Sequence, residues 1–237
     1  LQAIAGPDAA DQTTLGAPPL TWNGAGRPLR IGLLENSIEK SAPLVGANAR
    51  AALGVLQGVG SITTIQLPDL PYDDAAGMII TCEAGAAFQD FIECGGSAEL
   101  RAPEVHANMW AALTVPAVDY LRAIRIRARG VAEMQRVFEQ FDLLVAPAYA
   151  VTAPLAEGSF EAHYDEYPAP RLGAMGNLLG LPSISVPTGL GENGMPTSLE
   201  ILGQWWNEAL VVQCAELYQG RTTFHTAQPP QWDVTDC

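Results

Sequence analysis

One lysine, Lys40, and three histidines, His106, His163 and His225, are all that the 237-residue chain offers as conventional bases. A lysine that takes a proton must be neutral, which burial and nearby polar groups achieve by lowering its pKa. Lys40 lies in Glu35-Asn36-Ser37-Ile38-Glu39-Lys40-Ser41, where carboxylates favour the charged form, so it is not read as catalytic. The histidines are scattered without local partners, and nothing points to a histidine triad. Cys82, Cys94, Cys214 and Cys237 form no C-x-x-C pair and have no histidine at metal spacing, which reads as reduced thiols with no metal site. No G-x-S-x-G elbow and no H-E-x-x-H helix is present, and no G-x-G-x-x-G dinucleotide loop is expected. Basic residues are also few: a formal net charge of −14 disfavours nucleic acid and anionic membrane surfaces as partners. No apolar run reaches the roughly 20 residues of a membrane helix, and Leu1-Gln2-Ala3-Ile4 opens without the basic flank of a signal peptide.

What is present is a globular composition, with 48% hydrophobic residues. Residues 1–28 carry turn-forming clusters such as Gly6-Pro7-Asp8 and Pro18-Pro19 and read as an entry segment. Residues 29–34 read as a buried strand and 45–57 as an Ala-rich helix ending at Gly58 and Gly60. The alternating, β-branched residues 61–67 read as a second strand. Strand, helix, strand is the α/β alternation. Residues 73–93 suggest a helix and 94–115 an irregular link. A long helix then runs to about Glu139, opened by Thr114 as cap and Pro116 in the first turn. Apolar runs at 143–146, 183–186 and 198–202, each bounded by Pro or Gly, read as buried strands. Asn207 is expected to cap a last helix whose Leu210, Val211, Cys214, Leu217 and Tyr218 share a face.

Two residues draw attention on physical grounds. At about 100° per residue, Arg127 falls on the same face of the long helix as Ile124, Val131, Met134 and Phe138. A guanidinium on a buried stripe demands a partner: Asp119, Asp142, a backbone carbonyl or a substrate carboxylate. Arg122, Arg125, Arg129 and Arg136 share the opposite, solvated face. Of Trp205 and Trp206, one is expected in the core and the other as a pocket wall.

The ordered pieces Phe141-Asp142-Leu143-Leu144-Val145-Ala146-Pro147, Asn177-Leu178-Leu179-Gly180-Leu181-Pro182-Ser183-Ile184-Ser185-Val186-Pro187, Gly194-Met195-Pro196 and Leu199-Glu200-Ile201-Leu202-Gly203 resemble the C-terminal half of the amidase signature family. The resemblance implies an α/β fold, a mixed sheet wrapped by helices, with residues 1–237 forming the C-terminal part of one domain. It implies cofactor-independent amide hydrolysis through an acyl-enzyme, the Ser-cisSer-Lys machinery being supplied by an upstream half or companion chain. Catalytic residues are then absent from this chain, which alone is expected to be inert and prone to aggregate. Gly95-Gly96-Ser97 is similar to part of that family's glycine- and serine-rich loop, but its second half is missing, and it reads as a helix-ending glycine turn.

In the family, the segment matching 172–177 and the aromatic position matching Trp206 help line the substrate channel. Substrate-pocket candidates are therefore Gly173, Met175, Gly176, Asn177, Trp206 and Arg127. Gly173 and Gly176 replace larger groups and imply a wider pocket, or else serve a backbone turn. The expected ligand is a small-molecule amide, in a cytoplasmic setting, with a homodimer an open possibility. A glutamine-dependent amidotransferase subunit is the alternative within the family. It ranks lower because Pro170-Arg171 stands where that type of protein carries an acidic residue. A non-enzymatic scaffold that kept the fold is the alternative outside it.

Overall fold

The computed structural model describes residues 6–14, 26–100, 103–155 and 160–228. Much of the expected entry segment (1–5 and 15–25) and Cys237 lie outside the described residues. The chain divides into two compact units. The first comprises Leu1–Leu67, Val137–Gly173 and Leu181–Cys237, and the second Pro68–Arg136 with Ala174–Gly180.

The first unit is built on a five-stranded sheet, β1 (Leu29–Leu34), β2 (Gly60–Ile65), β3 (Leu143–Pro147), β4 (Ser183–Leu190) and β5 (Pro196–Gly203), in the order β2-β1-β3-β5-β4. β1 pairs in parallel with β2 and β3, whereas β5 runs antiparallel to β3 and β4. The parallel pair β1 and β2 needs a crossover, which is helix α1 (Pro43–Leu56). Pro43 sits in the first turn of α1, where its missing N–H costs nothing, and Val45, Ala49, Ala52 and Leu56 form the buried face.

Side chains alternate across the strands, so Ile31, Leu143, Val145, Leu199 and Ile201 share one face of the sheet. They form a continuous core with Ala49, Ala52 and Leu56 of α1 and with Leu210, Val211, Cys214 and Tyr218 of the last helix, Glu208–Gln219. The small alanines of α1 let that helix come close to the sheet, and each large side chain fully buried here contributes about 1.5–3 kcal/mol. The core stripe of the last helix is as expected except at Leu217, which is exposed. Asn207 is that helix's N-cap residue but makes no side-chain capping bond; its carbonyl instead accepts the N–H groups of Leu210 and Val211.

The second unit is helical: α2 (Tyr72–Ala87), α3 (Gln89–Glu93), α4 (Pro103–Ala112) and most of α5 (Ala117–Gln140). The helix expected over 73–93 is broken at Phe88, which leaves helical geometry at φ −111°, ψ 19°. The span read as an irregular link contains α4. Its start is marked by Pro103, a first-turn residue that the sequence reading passed over. Thr114, expected to cap α5, closes α4 instead: its hydroxyl and its N–H both donate to the Ala111 carbonyl. α2 and α4 touch at Gly85, where an added Cβ would stand 3.1 Å from that of Ala112.

Two shorter helices complete the order. α6 (Phe160–Asp165) belongs to the first unit, and α7 (Gly173–Leu179) runs from its last residue into the second. The helix Glu208–Gln219 is α8.

Candidate pocket segment and the family of the chain

α7 holds four of the six residues singled out from sequence. Met175 and Gly176 are buried and Asn177 is exposed. A Cβ built on Gly173 meets no atom within 4 Å. Neither Gly173 nor Gly176 adopts positive φ, so neither serves the backbone turn that was their alternative reading; both lie within the helix. The turn belongs to Gly180, at φ +71°, which stops α7 before Pro182 and β4. A left-handed φ is where a residue without Cβ is at ease, and it is the common way to end a helix.

A seven-residue helix with two glycines does not hold itself together in water. Here the long helix holds it. Arg127 Nε donates to the Leu178 carbonyl over 2.8 Å, within the negative C-terminal turn of α7. Three residues on, Gly130 gives Leu179 room to approach: a Cβ at Gly130 would stand 2.9 Å from Leu179 Cδ2. Arg127 is exposed as a residue rather than buried, which corrects the expectation of a guanidinium inside the stripe. The buried stripe of α5 is Ala123, Gly130, Met134 and Phe138. A long arginine can lie on that face, bury its stem and reach outward with its head. Arg122, Arg125, Arg129 and Arg136 are exposed, Arg122 paired with Asp119 and Arg136 with Glu133.

Arg127 is thus brought together with the α7 residues. Trp206 belongs to the first unit, in a tight turn closed by the bond from Asn207 N–H to the Gln204 carbonyl. It is 67% exposed at φ +62°, a conformation that costs a bulky residue about 1–2 kcal/mol. Trp205 turns inward and meets the Phe138 ring edge-on, with centroids 6.1 Å apart.

Neither decoy gains a reactive role. Lys40 is exposed. Gly95, at φ +86°, follows the end of α3, and its N–H returns to the Ile92 carbonyl, so Gly95-Gly96-Ser97 is a helix-ending turn. Gly189-Leu190-Gly191-Glu192-Asn193-Gly194 does spell G-x-G-x-x-G, which corrects the expectation that the chain holds no such string. It joins the antiparallel strands β4 and β5 through a single 3-10 turn, Glu192–Gly194, and opens no α-helix, so it lacks the setting that binds a dinucleotide phosphate.

Two polar groups escaped the sequence reading. Glu200 is buried in β5, opposite Ala146 and Ser185, on the strand face away from Leu199 and Ile201. Burial pushes its carboxyl up, partly opposed by a hydrogen bond from Ser183. Its signal was a single charge inside an apolar run. The Tyr72 hydroxyl is buried with no hydrogen-bond partner among the described residues, and burial raises this phenol to about 12.

The family model for amidases matches residues 1–212. The chain belongs to the amidase family. Among curated relatives of this amidase-family chain is the A-type subunit of the glutamyl-tRNA(Gln) amidotransferase of Thermosynechococcus vestitus, 30% identical over 97% of the chain and 54% of the relative. The same component from Lysinibacillus sphaericus is 30% identical over 98% and 54%. The chain spans about half the length of the curated relatives it matches. Solved structures that share its fold include the A-type amidotransferase subunit of Thermotoga maritima, with a TM-score of 0.68 at 20% identity, covering 92% of this chain and 48% of that one. A bacterial aryl acylamidase of the amidase signature family has a TM-score of 0.66 at 19% identity, covering 84% and 45%. The fold is the mixed α/β architecture expected, represented by about half of it.

Proposed function

We propose that this chain is the pocket-forming C-terminal part of an amidase that hydrolyses the C–N bond of a carboxamide. The observation that carries the reading is the bond from Arg127 to the Leu178 carbonyl, which fixes the pocket segment α7 against the long helix in a chain of the amidase family. With Nε engaged, the two outer nitrogens of Arg127 remain a planar fork suited to a carboxylate or carbonyl on the substrate. Asn177 supplies a polar edge, Met175 packs beneath it as buried support, and open space at Gly173 leaves room for a larger acyl group. Trp206, exposed on the first unit, is the candidate aromatic wall that the family match assigns.

The companion half supplies the nucleophilic serine, the bridging serine and the base lysine. The serine attacks the amide carbon, the amine leaves with a proton, and water releases the acid from the acyl-enzyme. The two halves form one domain in this reading. The open edge of the sheet at β4 suits the joining of further strands.

The test is steady-state hydrolysis of amides with and without a distal carboxylate by the intact protein. Arg127→Leu is expected to raise KM for the carboxylate-bearing amide by roughly tenfold, the scale of a lost charged hydrogen bond. An unchanged KM for both substrates overturns the role of Arg127. Absence of any amide hydrolysis by intact protein overturns the reading as a whole. A second reading, the glutamine-hydrolysing component of an amidotransferase, is favoured by 30% identity to the A-type subunit along nearly the whole chain. It predicts that glutamine alone among small amides is consumed, and faster in the presence of an acylated tRNA acceptor.

A further inference from the structure

We propose that the cleft between α2 and the α4–α5 junction binds a small organic ammonium ion, its charge on Glu83 and its short apolar tail along Leu113 and Val115. The cleft has a volume of about 410 Å³, within the range of small-ligand sites, and lies wholly in the second unit. It shares no lining residue with α7, and the inference does not depend on the amidase reading.

The lining selects the ligand by charge. Among the described residues, no lysine, arginine or histidine lines the cleft, and Glu83 is the one carboxylate that does. Tyr120 donates its hydroxyl to Glu83 Oε1 over 3.1 Å, a neutral partner that does not cancel the charge, and Arg127, whose field at Tyr120 is the weakest of those around it, bonds the Leu178 carbonyl instead. The same bond is the main cause that raises the Tyr120 phenol, so it stays a neutral donor. Gln89 gives its amide N–H to Glu93, which leaves its carbonyl oxygen as a further acceptor. An ammonium group carries three donors and no acceptor. The second carboxylate oxygen of Glu83, the Gln89 carbonyl and the Tyr120 oxygen match that inventory.

Size and polarity exclude the competing cations. A hard divalent metal seeks six or more oxygens, and apart from the Cys82 thiol and Gly85 the remaining walls, Ala86, Ala112, Leu113, Val115 and Ala117, are apolar. The same walls suit a few methylene groups. An anion meets the Glu83 carboxylate and, among the lining residues, no charged donor. The chain's net charge of −14 further raises the local concentration of cations.

The experiment titrates propylammonium chloride into the intact protein and follows it by calorimetry and amide chemical shifts, with propionate and propan-1-ol as controls at equal ionic strength. Saturable binding of propylammonium alone is expected, with shifts at Cys82, Glu83, Leu113 and Tyr120. Glu83→Gln should weaken it about tenfold, as for a lost charge-assisted bond. Ala86→Leu, compatible with a helix but filling the cleft, should weaken it while the thermal midpoint stays put. Equal binding of propionate, unchanged binding in the folded Glu83→Gln variant, or no saturable binding of propylammonium to the wild type would overturn the proposal. The last result would mean that the cleft is filled from elsewhere in the protein.

Discussion

Replacing Asp142 by asparagine should destabilise the first unit by about 2 kcal/mol at neutral pH, and the loss should vanish in acid. Asp142 stands at the start of β3, where its side chain is only 10% exposed. Arg27 grips both carboxylate oxygens at 2.7 and 2.8 Å. Arg30 adds its backbone N–H at 2.8 Å and its guanidinium at 2.9 Å, while the Asp142 N–H returns to the Arg30 carbonyl. The cluster therefore fixes where β3 joins β1. Burial alone would raise this carboxyl, but the hydrogen bonds from Arg27 and Arg30 outweigh it and hold the group well below the usual carboxylate range.

Asparagine keeps the volume and an acceptor for the Arg30 N–H but removes the charge and turns an NH₂ towards two cations. Each hydrogen bond to a charged group contributes about 1.5–3 kcal/mol. Both arginines are half exposed, at 50% and 43%, and solvent screening discounts the pairs towards the lower end. Because the folded pKa is depressed, the stabilisation is fully present above the unfolded value near 3.9. It is lost as pH falls towards the folded value, at about 1.4 kcal/mol per pH unit. The gap between wild type and Asp142→Asn in urea unfolding should hold from pH 7 to pH 5 and shrink by roughly 2 kcal/mol near pH 2.5. A gap that is constant down to pH 2.5, or below about 0.5 kcal/mol at pH 7, refutes the reasoning.

Trp206→Gly should raise the thermal midpoint, since it relieves a left-handed φ worth about 1–2 kcal/mol. It should also lower kcat/KM if the ring is a pocket wall; a fall in the midpoint would deny the strain. Tyr72→Phe removes a buried hydroxyl without a partner among the described residues and should stabilise by about 1 kcal/mol in chemical denaturation, whereas a loss would reveal a partner. Gly173→Ala meets open space at the first position of α7 and should gain up to about 0.5 kcal/mol, less than the interior propensity difference, with slower turnover of the bulkiest amides as the sign that the position faces substrate. Cys214 is fully buried and its thiol is pushed up to about 12 by burial, so in native protein a thiol reagent should modify exposed Cys94 and spare Cys214 until urea is added. Equal rates at the two would contradict the core placement.

The sheet was more legible in the sequence than the helical unit, for a physical reason. The runs at 143–146 and 198–202 lie in β3 and β5, which are buried almost throughout, and burial on both sides demands such text. The run at 183–186, also expected buried, lies in the last strand of the sheet order, where Ser183 and Ser185 are exposed and of the whole strand only Val186 and Thr188 are buried. Their order in the sheet was not legible, because pairing between distant strands leaves no local mark. α4 was missed because its ten residues carry little amphipathic contrast, and only Pro103 signals the start. Thr114 was assigned to the wrong helix because a threonine between two helices can cap one or close the other, and only the Ala111 bond decides. Glu200 shows the limit of reading apolar runs: one carboxyl among isoleucine and leucine is inconspicuous in text and costly when buried.

The periodicity placed Arg127 correctly around α5 and its burial wrongly, and that error bears on function. Ala123, Gly130 and Met134 flank it on the buried stripe, yet the guanidinium reaches past them to the end of α7. An alanine or leucine would continue the stripe at no cost in desolvation. Arginine there does what an apolar residue cannot: it bonds a carbonyl in the last turn of a helix too short and too glycine-rich to persist alone. The same bond spends one nitrogen and leaves two. A structural partner inside the protein and a polar contact to substrate are therefore not rival roles for this side chain, because the Leu178 carbonyl that anchors the arginine also aims the rest of the fork. Lysine gathers its three donors on one nitrogen at the end of a flexible stem, so at this position it could bond the carbonyl but would offer a ligand no planar, pre-aimed fork.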